Sequence, residues 1–217
     1  MLILGLESSA KTASCALGAD GVQIALYTQN CGLTHSSTLL PMVEDMLRNC
    51  GIDKGELTRV AVAAGPGSFT GVRIGCAAAK GLSWALGIPC RPVSTLEAMA
   101  YSYAYDIAES RERRAEIISC EMDARRGQVY NALFEYSAEG LTRLTPDRAI
   151  ALDELNLELS ANCSLFTVHR SLSDAWGVIL AAQNAPDAEP NPVYLRMPQA
   201  ERELLKSRDK KAERGEN

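Results

Sequence analysis

The sequence predicts an α/β protein built from mixed sheets flanked by helices. Two observations lead to this class. Three short apolar segments near the amino terminus are separated by turn residues, which is typical of an antiparallel meander. An apolar strand at Val60–Ala64 then ends in Gly65-Pro66-Gly67 and passes into a helical stretch, as in a β–α crossover. A meander that continues by crossovers produces one mixed sheet.

The first helix should follow the meander directly. The three meander strands are predicted at Leu2–Glu7, Thr12–Leu17 and Val22–Thr28. A helix capped by Ser36 or Ser37 then runs to Cys50. Apolar side chains repeat along it at helical spacing while its other face is polar, so it should pack through one stripe. The stripe comprises Leu39, Leu40, Val43, Met46, Leu47 and Cys50.

The second helix, Val72–Leu86, is apolar on nearly every side. Only Arg73, Lys80 and Ser83 interrupt the apolar residues around its axis. A helix that is apolar all round is covered all round, and the sheet can cover only one side. The second cover comes either from the same chain or from a partner chain, and the pattern leaves both alternatives open.

One domain should end near residue 108 and a smaller one should follow it. A strand at Cys90–Val93 precedes a capping box, Ser94 to Glu97, which opens a helix to about Ala108. A charged connector at 109–116 leads into a smaller α/β domain that extends to residue 198. Its predicted strands are Ile117–Met122, Gln128–Tyr136, Leu141–Leu144 and Ser164–Val168, and its predicted helices are Leu152–Leu159 and Ser173–Asn184. Residues 199–217 form a charged tail that should be disordered.

The composition restricts the class of protein. The chain has 217 residues, of which 47% are apolar and 23% charged, as in an ordinary globular protein. Its seven cysteines form no CxxC pair, so they should be reduced core residues of a cytoplasmic protein. Neither a signal peptide nor a membrane-spanning run is expected. A net charge of −5 argues against autonomous, tight binding of nucleic acid.

The glycine-rich loop before the second helix has two interpretations. Its backbone N–H groups at a helix start favour a nucleotide phosphate or another anion. Alternatively, the glycines only let a sharp turn pack closely against its neighbours. Glu7 ends the first strand and either holds a divalent ion through water or is capped by nearby hydroxyls, of which we favour the latter. The tentative anion site comprises Glu7, Gly65, Gly67, Ser68, Thr70 and Gly71.

Motifs for catalysis or metal binding are missing from the sequence. The two histidines, His35 and His169, belong to no HxxxH or HExxH pattern. Neither a Walker A motif nor GxSxG occurs. The sequence therefore predicts no catalytic residue, no metal site and no cofactor.

Five segments of the sequence form a distinctive combination. They are GPGSFTGVRIG at Gly65–Gly75, AKGL at Ala79–Leu82, VSTLEAMA at Val93–Ala100, MDARRGQVY at Met122–Tyr130 and PVYLR at Pro192–Arg196. Together these segments resemble the TsaB family, also called YeaZ. The resemblance extends from Leu2 to about Arg196. It implies the actin, Hsp70 and sugar-kinase fold superfamily, with a ribonuclease H-like first domain. It also implies a bacterial, cytosolic subunit needed to make N6-threonylcarbamoyladenosine at position 37 of tRNA.

The same resemblance implies specific partners. A TsaD-type subunit carries the metal and nucleotide chemistry and transfers the threonylcarbamoyl group, and a TsaE-type ATPase joins the pair. Pairing through the two amino-terminal helices would use Leu39, Leu40, Val43, Met46, Leu47, Val72, Arg73, Cys76, Ala79, Lys80 and Ser83. Ala79→Glu or Val72→Asp should then abolish the complex and leave the monomer folded. Alone, the chain should form a homodimer, and it should meet tRNA only through the complex.

The sequence also departs from the family's patterns. Glu7 stands where TsaB relatives usually have Asp, and Ser8-Ser9-Ala10-Lys11 lacks the glycine of phosphate-binding relatives. A side chain at each turn position should crowd a phosphate. An ATP-binding enzyme of the same superfamily is the alternative function. A protease is disfavoured because the sequence has neither a metal pair nor a nucleophile–base motif.

Overall fold

The computed structural model describes residues 1–110, 116–161, 166–169 and 173–196. A first sheet of five strands contains β1 (Leu2–Glu7), β2 (Ala13–Ala19), β3 (Val22–Gln29), β4 (Arg59–Ala63) and β5 (Cys90–Val93). Their order is β3-β2-β1-β4-β5. The first three strands pair antiparallel, whereas β4 pairs parallel with β1 and with β5. The predicted meander and crossovers are confirmed.

Helices cover both faces of the first sheet. The helices are α1 (His35–Cys50), α2 (Phe69–Leu86), α3 (Thr95–Ser110), α4 (Leu152–Ala161) and α5 (Ala175–Ala182). Leu4, Leu6 and Val62 point to one face and pack with α1 and α2. Ile3 and Ala61 point to the other face and pack with α5. Side chains alternate along a strand, so both faces of this sheet are apolar and both need a cover.

The helix α5 packs on the first sheet although it comes late in the chain. Trp176 and Ile179 lie among buried side chains of β1, β2 and β4. The predicted helix at Ser173–Asn184 is therefore confirmed, with the bounds Ala175–Ala182. It belongs to the stretch assigned to the second domain, and the domain boundary at residue 108 stays a prediction.

A second mixed sheet follows α3. It has the order β10-β6-β7-β8, and β9 pairs with β7. The strands are β6 (Glu116–Arg125), β7 (Gln128–Ser137), β8 (Gly140–Arg143), β9 (Arg148–Ala151) and β10 (Phe166–His169). Leu96 and Met99 of α3 pack on Ile118 and Phe134, so α3 contacts both sheets. The predicted α/β class with mixed sheets flanked by helices is confirmed.

Some bounds differ from the prediction. The helix α1 begins at His35, and Thr34 stands at its cap without a side-chain cap bond, so neither Ser36 nor Ser37 is the cap. The cap of α3 is as expected, because the Ser94 hydroxyl accepts a hydrogen bond from the Glu97 N–H at 3.2 Å. The tail at 199–217 and residues 111–115 of the connector lie outside the described residues. Of the described helices, none has the length and apolar composition needed to span a membrane.

Candidate functional site

The helices α1 and α2 lie side by side on one face of the first sheet. Six of the eleven side chains predicted to contact a partner are at most 4% exposed because they pack on the chain's own core. They are Leu39, Val43, Met46, Val72, Cys76 and Ala79. For these six positions the prediction needs correction, since a side chain already covered by its own chain has no surface left for a partner.

The structure explains why α2 is apolar on so many sides. Val72, Cys76 and Ala79 point inward and are buried. Ile74, Ala78, Leu82 and Leu86 are partly buried and pack with the core that α1 shares. Most of the second cover therefore comes from α1 of the same chain, which is one of the two alternatives that the sequence left open.

One side of α2 remains uncovered. Ala77, Gly81 and Trp84 follow each other at helical spacing on the side away from the core, and all three are exposed. The Trp84 side chain is 87% exposed, the largest value for a large apolar residue in the described part of the chain. Leu40 of α1 is 46% exposed. We call Leu40, Ala77, Gly81 and Trp84 the docking surface.

The small residues of the docking surface leave room beside the indole ring. A Cβ added at Gly81 would have no atom within 4 Å. Small residues on a helix allow a second helix to approach closely. An exposed tryptophan beside such a recess is the kind of apolar surface that marks an interaction site.

The remaining predicted contacts lie beside the docking surface. Arg73 donates from Nε to the Tyr194 hydroxyl at 2.7 Å, and its guanidinium lies 3.9 Å from the centre of the Phe69 ring. Lys80 pairs with Glu189 at 3.3 Å. These two side chains hold the carboxyl-terminal segment against α2. The last two predicted contacts, Leu47 and Ser83, are partly buried.

The predicted anion site is filled by the chain itself. The Ser68 N–H donates to the Ser9 carbonyl at 2.6 Å, and the Ser8 hydroxyl donates to the Gly71 carbonyl at 2.9 Å. A Cβ at Gly71 would overlap the Ser8 carbonyl oxygen, and one at Gly67 would lie 2.6 Å from the Ser9 carbonyl oxygen. The glycines thus let the two loops pack together, which fits the close-packing interpretation. Gly65 accepts the Thr95 N–H at 2.9 Å, and Thr70 is exposed.

Glu7 is a buried acid near the same loops. Its carboxyl is 1% exposed and accepts the Ser9 N–H on Oε1 at 2.5 Å, while Oε2 has no hydrogen-bond partner among the described residues. Burial raises its pKa from 4.5 to about 7, against the opposing effects of Ser9 and Ser173. A carboxyl that is partly protonated at neutral pH attracts a cation weakly. Within the described residues, no group of three acidic, histidine or cysteine side chains is placed to hold a metal ion.

Comparison with known proteins assigns the chain to a family. The family model for "TsaD: tRNA N6-adenosine threonylcarbamoyltransferase" matches residues 29–167. A tRNA threonylcarbamoyladenosine biosynthesis protein TsaB from Bacillus subtilis is 39% identical over 152 residues, which are 70% of this chain and 63% of that protein. One from Buchnera aphidicola subsp. Schizaphis graminum is 32% identical over 71% of this chain and 70% of its own length. The chain belongs to the TsaB family.

A solved structure has the same fold as this chain. A Pseudomonas aeruginosa protein described as similar to peptidase YEAZ matches with a TM-score of 0.74 and 25% identity, over 90% of this chain and 99% of that one. The resemblance to the TsaB or YeaZ family and the fold class are thus confirmed. The aligned region spans less than two thirds of the Bacillus subtilis relative.

Sequence reasoning missed Trp84 and Tyr194 as surface features. Trp84 was counted among the residues that make α2 apolar all round, although at 3.6 residues per turn it lies about 80–140° around the helix from Val72, Cys76 and Ala79, outside the buried face. Tyr194 is 38% exposed, and its ring packs against that of Phe69 with the ring centres 4.8 Å apart. That contact joins residues 125 positions apart in sequence, so no local pattern could reveal it.

Proposed function

We propose that the chain is a non-catalytic subunit of the machinery that forms N6-threonylcarbamoyladenosine at position 37 of tRNA. In this proposal it docks through Leu40, Ala77, Gly81 and Trp84 on a TsaD-type transferase, and a TsaE-type ATPase joins the pair. Membership in the TsaB family supports the process. The exposed Trp84 is the observation that supports the docking. A cytoplasmic location is part of the proposal.

The exposed ring of Trp84 is large enough to act as an anchor for a partner. A tryptophan side chain buries about 150–250 Å² when it is fully covered. At about 25 cal/mol per Å², covering the 87% of Trp84 that is exposed contributes about 3–5 kcal/mol. Tryptophan is also enriched among the few residues that dominate binding energy at interfaces. A partner that covers Trp84 would therefore gain much of its affinity from this one side chain.

The relation between the two proteins suggests the form of the partner surface. Because the transferase family model matches residues 29–167, a range that contains α1 and α2, a transferase subunit should have an equivalent helix pair. Two such pairs can meet about a pseudo-twofold axis. The same geometry lets two copies of this chain meet in the absence of a partner, which is the predicted homodimer.

The alternative function, an ATP-binding enzyme, would use the glycine-rich loop. That loop is packed against the carbonyl groups of Ser8 and Ser9 and has no open cradle of N–H groups. ATP binding would require the Ser8–Ser9 loop to move. Calorimetry of the pure chain with Mg-ATP distinguishes the two functions, and micromolar binding that Glu7→Ala abolishes would favour the enzyme.

The docking proposal is tested with two variants of the docking surface. Trp84→Glu removes the anchor, and Gly81→Gln fills the recess in a place where the isolated chain has room. Gly81→Gln should stabilise the helix by about 0.5–1 kcal/mol, so lost binding could not be attributed to unfolding. Leu157→Glu is the control, because Leu157 is 73% exposed on α4.

Pairing is measured by isothermal titration calorimetry with the TsaD-type subunit of the same organism. We expect both docking-surface variants to lose at least about 3 kcal/mol of binding free energy and the control to bind like the wild type. Undiminished binding of both variants would overturn the docking surface. A tRNA modification assay that omits each subunit in turn tests the process itself, and modification without this chain would overturn the proposed role.

A further inference from the structure

Four arginines in the described part of the chain have no carboxylate partner. Five others form ion pairs: Arg48 with Asp45, Arg59 and Arg91 with Asp187, Arg143 with Glu97 and Asp147, and Arg148 with Glu158. Among the described residues, no acidic group lies within 4.0 Å of Arg73, Arg125, Arg126 or Arg196. In a chain with a net charge of −5, such a group of unpaired cations is unexpected.

The four arginines are connected in space. Arg73 on α2 donates to the Tyr194 hydroxyl. Arg196 follows Tyr194 by two residues, and its guanidinium donates to the carbonyl groups of Ala124 and Arg125. Those carbonyls belong to the end of β6, where Arg125 and Arg126 lead through a turn into β7. We call Arg73, Arg125, Arg126 and Arg196 the arginine strip, which runs from α2 across the carboxyl-terminal segment to this turn.

The turn presents its arginines to solvent. Arg125 and Arg126 have φ angles of 64° and 59°, in the left-handed region that glycine, asparagine and aspartate adopt more readily than arginine. The backbone therefore gives no reason for arginine at either position. Both side chains are exposed, while Arg196 bonds to the carbonyls beneath them. The two exposed arginines are consecutive residues, so both of their charges lie at this one turn.

Aromatic rings accompany the cations. The rings of Phe69 and Tyr194 stack with centres 4.8 Å apart, and the Arg73 guanidinium covers Phe69. Arginine binds phosphate through two parallel hydrogen bonds, and arginine and aromatic side chains both stack on unpaired bases. Exposed arginines next to the exposed ring of Tyr194 are therefore suited to RNA.

We propose that the arginine strip binds the phosphodiester backbone of the tRNA that the complex modifies. This proposal rests on the proposed function. Arg73 lies one helical turn before Ala77, so the strip borders the docking surface. RNA held on the strip would continue onto the docked subunit. The overall negative charge keeps binding by the isolated chain weak, and the second subunit supplies the rest of the affinity.

The test removes charge without disturbing the turn. Arg125→Asn and Arg126→Asn are combined, because asparagine adopts a positive φ readily. The control combines Arg48→Asn and Lys54→Asn, which removes the same charge from two exposed positions outside the strip, one in the last turn of α1 and one just after it. Fluorescence anisotropy with an unmodified tRNA transcript is recorded at several salt concentrations, for the full chain alone and for its complex with the TsaD-type subunit.

We expect the Arg125/Arg126 variant to weaken tRNA binding about tenfold or more at low salt. The slope of the logarithm of the binding constant against the logarithm of the salt concentration is negative. Its magnitude should decrease by about 2, one for each lost phosphate contact. The control should keep the wild-type slope. Equal slopes and affinities for the variant and the wild type would overturn the proposal.

Two further outcomes identify a different ligand. ATP is added at a concentration equal to that of the phosphate groups in the tRNA. If ATP then displaces the tRNA, the arginine strip binds a mononucleotide and the proposal is overturned. If the Arg125/Arg126 variant no longer binds the TsaD-type subunit but keeps its affinity for tRNA, the arginine strip is a protein-binding surface, and the proposal is again overturned. If the wild-type chain fails to pair at all, the docking proposal fails, while the measurement on the chain alone still decides whether the strip binds tRNA.

Discussion

Replacing Glu7 by glutamine should make the protein more stable at neutral and alkaline pH. Burial raises the pKa of this carboxyl from 4.5 to about 7. The folded state therefore holds a proton that the unfolded state releases between these two values. The stability linked to this proton is complete below pH 4.5 and is lost as the pH rises through 7.

The magnitude follows from the two pKa values. Each pKa unit corresponds to about 1.36 kcal/mol, so the rise from 4.5 to about 7 amounts to about 3 kcal/mol. Relative to Glu7→Gln, the wild type should lose about 3 kcal/mol of unfolding free energy between pH 4.5 and pH 8. Glutamine keeps an oxygen for the Ser9 N–H and has no charge to desolvate.

Urea denaturation at a series of pH values measures this difference directly. The free energy of unfolding is plotted against pH for each protein. Subtracting the Glu7→Gln curve from the wild-type curve removes the contributions of the other acidic residues. Glu44→Gln, which removes an exposed carboxylate from α1, serves as the control and should give a curve parallel to the wild type. A difference between wild type and Glu7→Gln that stays constant with pH would refute the argument, because it would mean that Glu7 is charged and compensated in the folded state.

Two further expectations concern the core. Ala79→Glu should unfold the isolated chain, because Ala79 is fully buried against the first sheet and an unpaired buried charge costs several kcal/mol. Thermal unfolding of the variant measures its stability, and a cooperative transition near the melting temperature of the wild type would contradict this expectation. Cys31 should react with a thiol reagent much faster than Cys15 and Cys76, because Cys31 is exposed while burial raises the pKa of both others to about 12. Peptide mapping after brief labelling measures the order, and equal labelling of the three thiols would refute it.

The sequence predicted most elements because their signals are local. The strands β1 and β5 have the predicted bounds, since each is a short apolar run bounded by turn residues. The strand β9, Arg148–Ala151, was missed because it has only four residues, of which Ile150 is the one large apolar residue, and this is too short for a clear alternation. It forms through its pairing with β7, a contact that the local sequence does not encode.

The candidate site was predicted only in outline. Helical spacing showed that α1 and α2 each have an apolar side, but spacing alone does not tell which neighbour covers it. Val43 and Ala79 turned out to face the sheet, whereas Trp84 faces solvent. The environment of Glu7 depends on Ser173 and Asp174, more than 160 residues away, so its raised pKa could not be inferred from the residues around it. Such long-range packing has to be read from the structure.

The late position of α5 has a consequence for biosynthesis. One face of the first sheet packs on Trp176 and Ile179, so this face lacks that cover until the ribosome has synthesised α5. The amino-terminal strands cannot complete their folding as they emerge, and the nascent polypeptide should need chaperone protection for most of its synthesis. Ribosome-bound chains that end before Ala175 should be digested by protease throughout, and a protected amino-terminal fragment would contradict this.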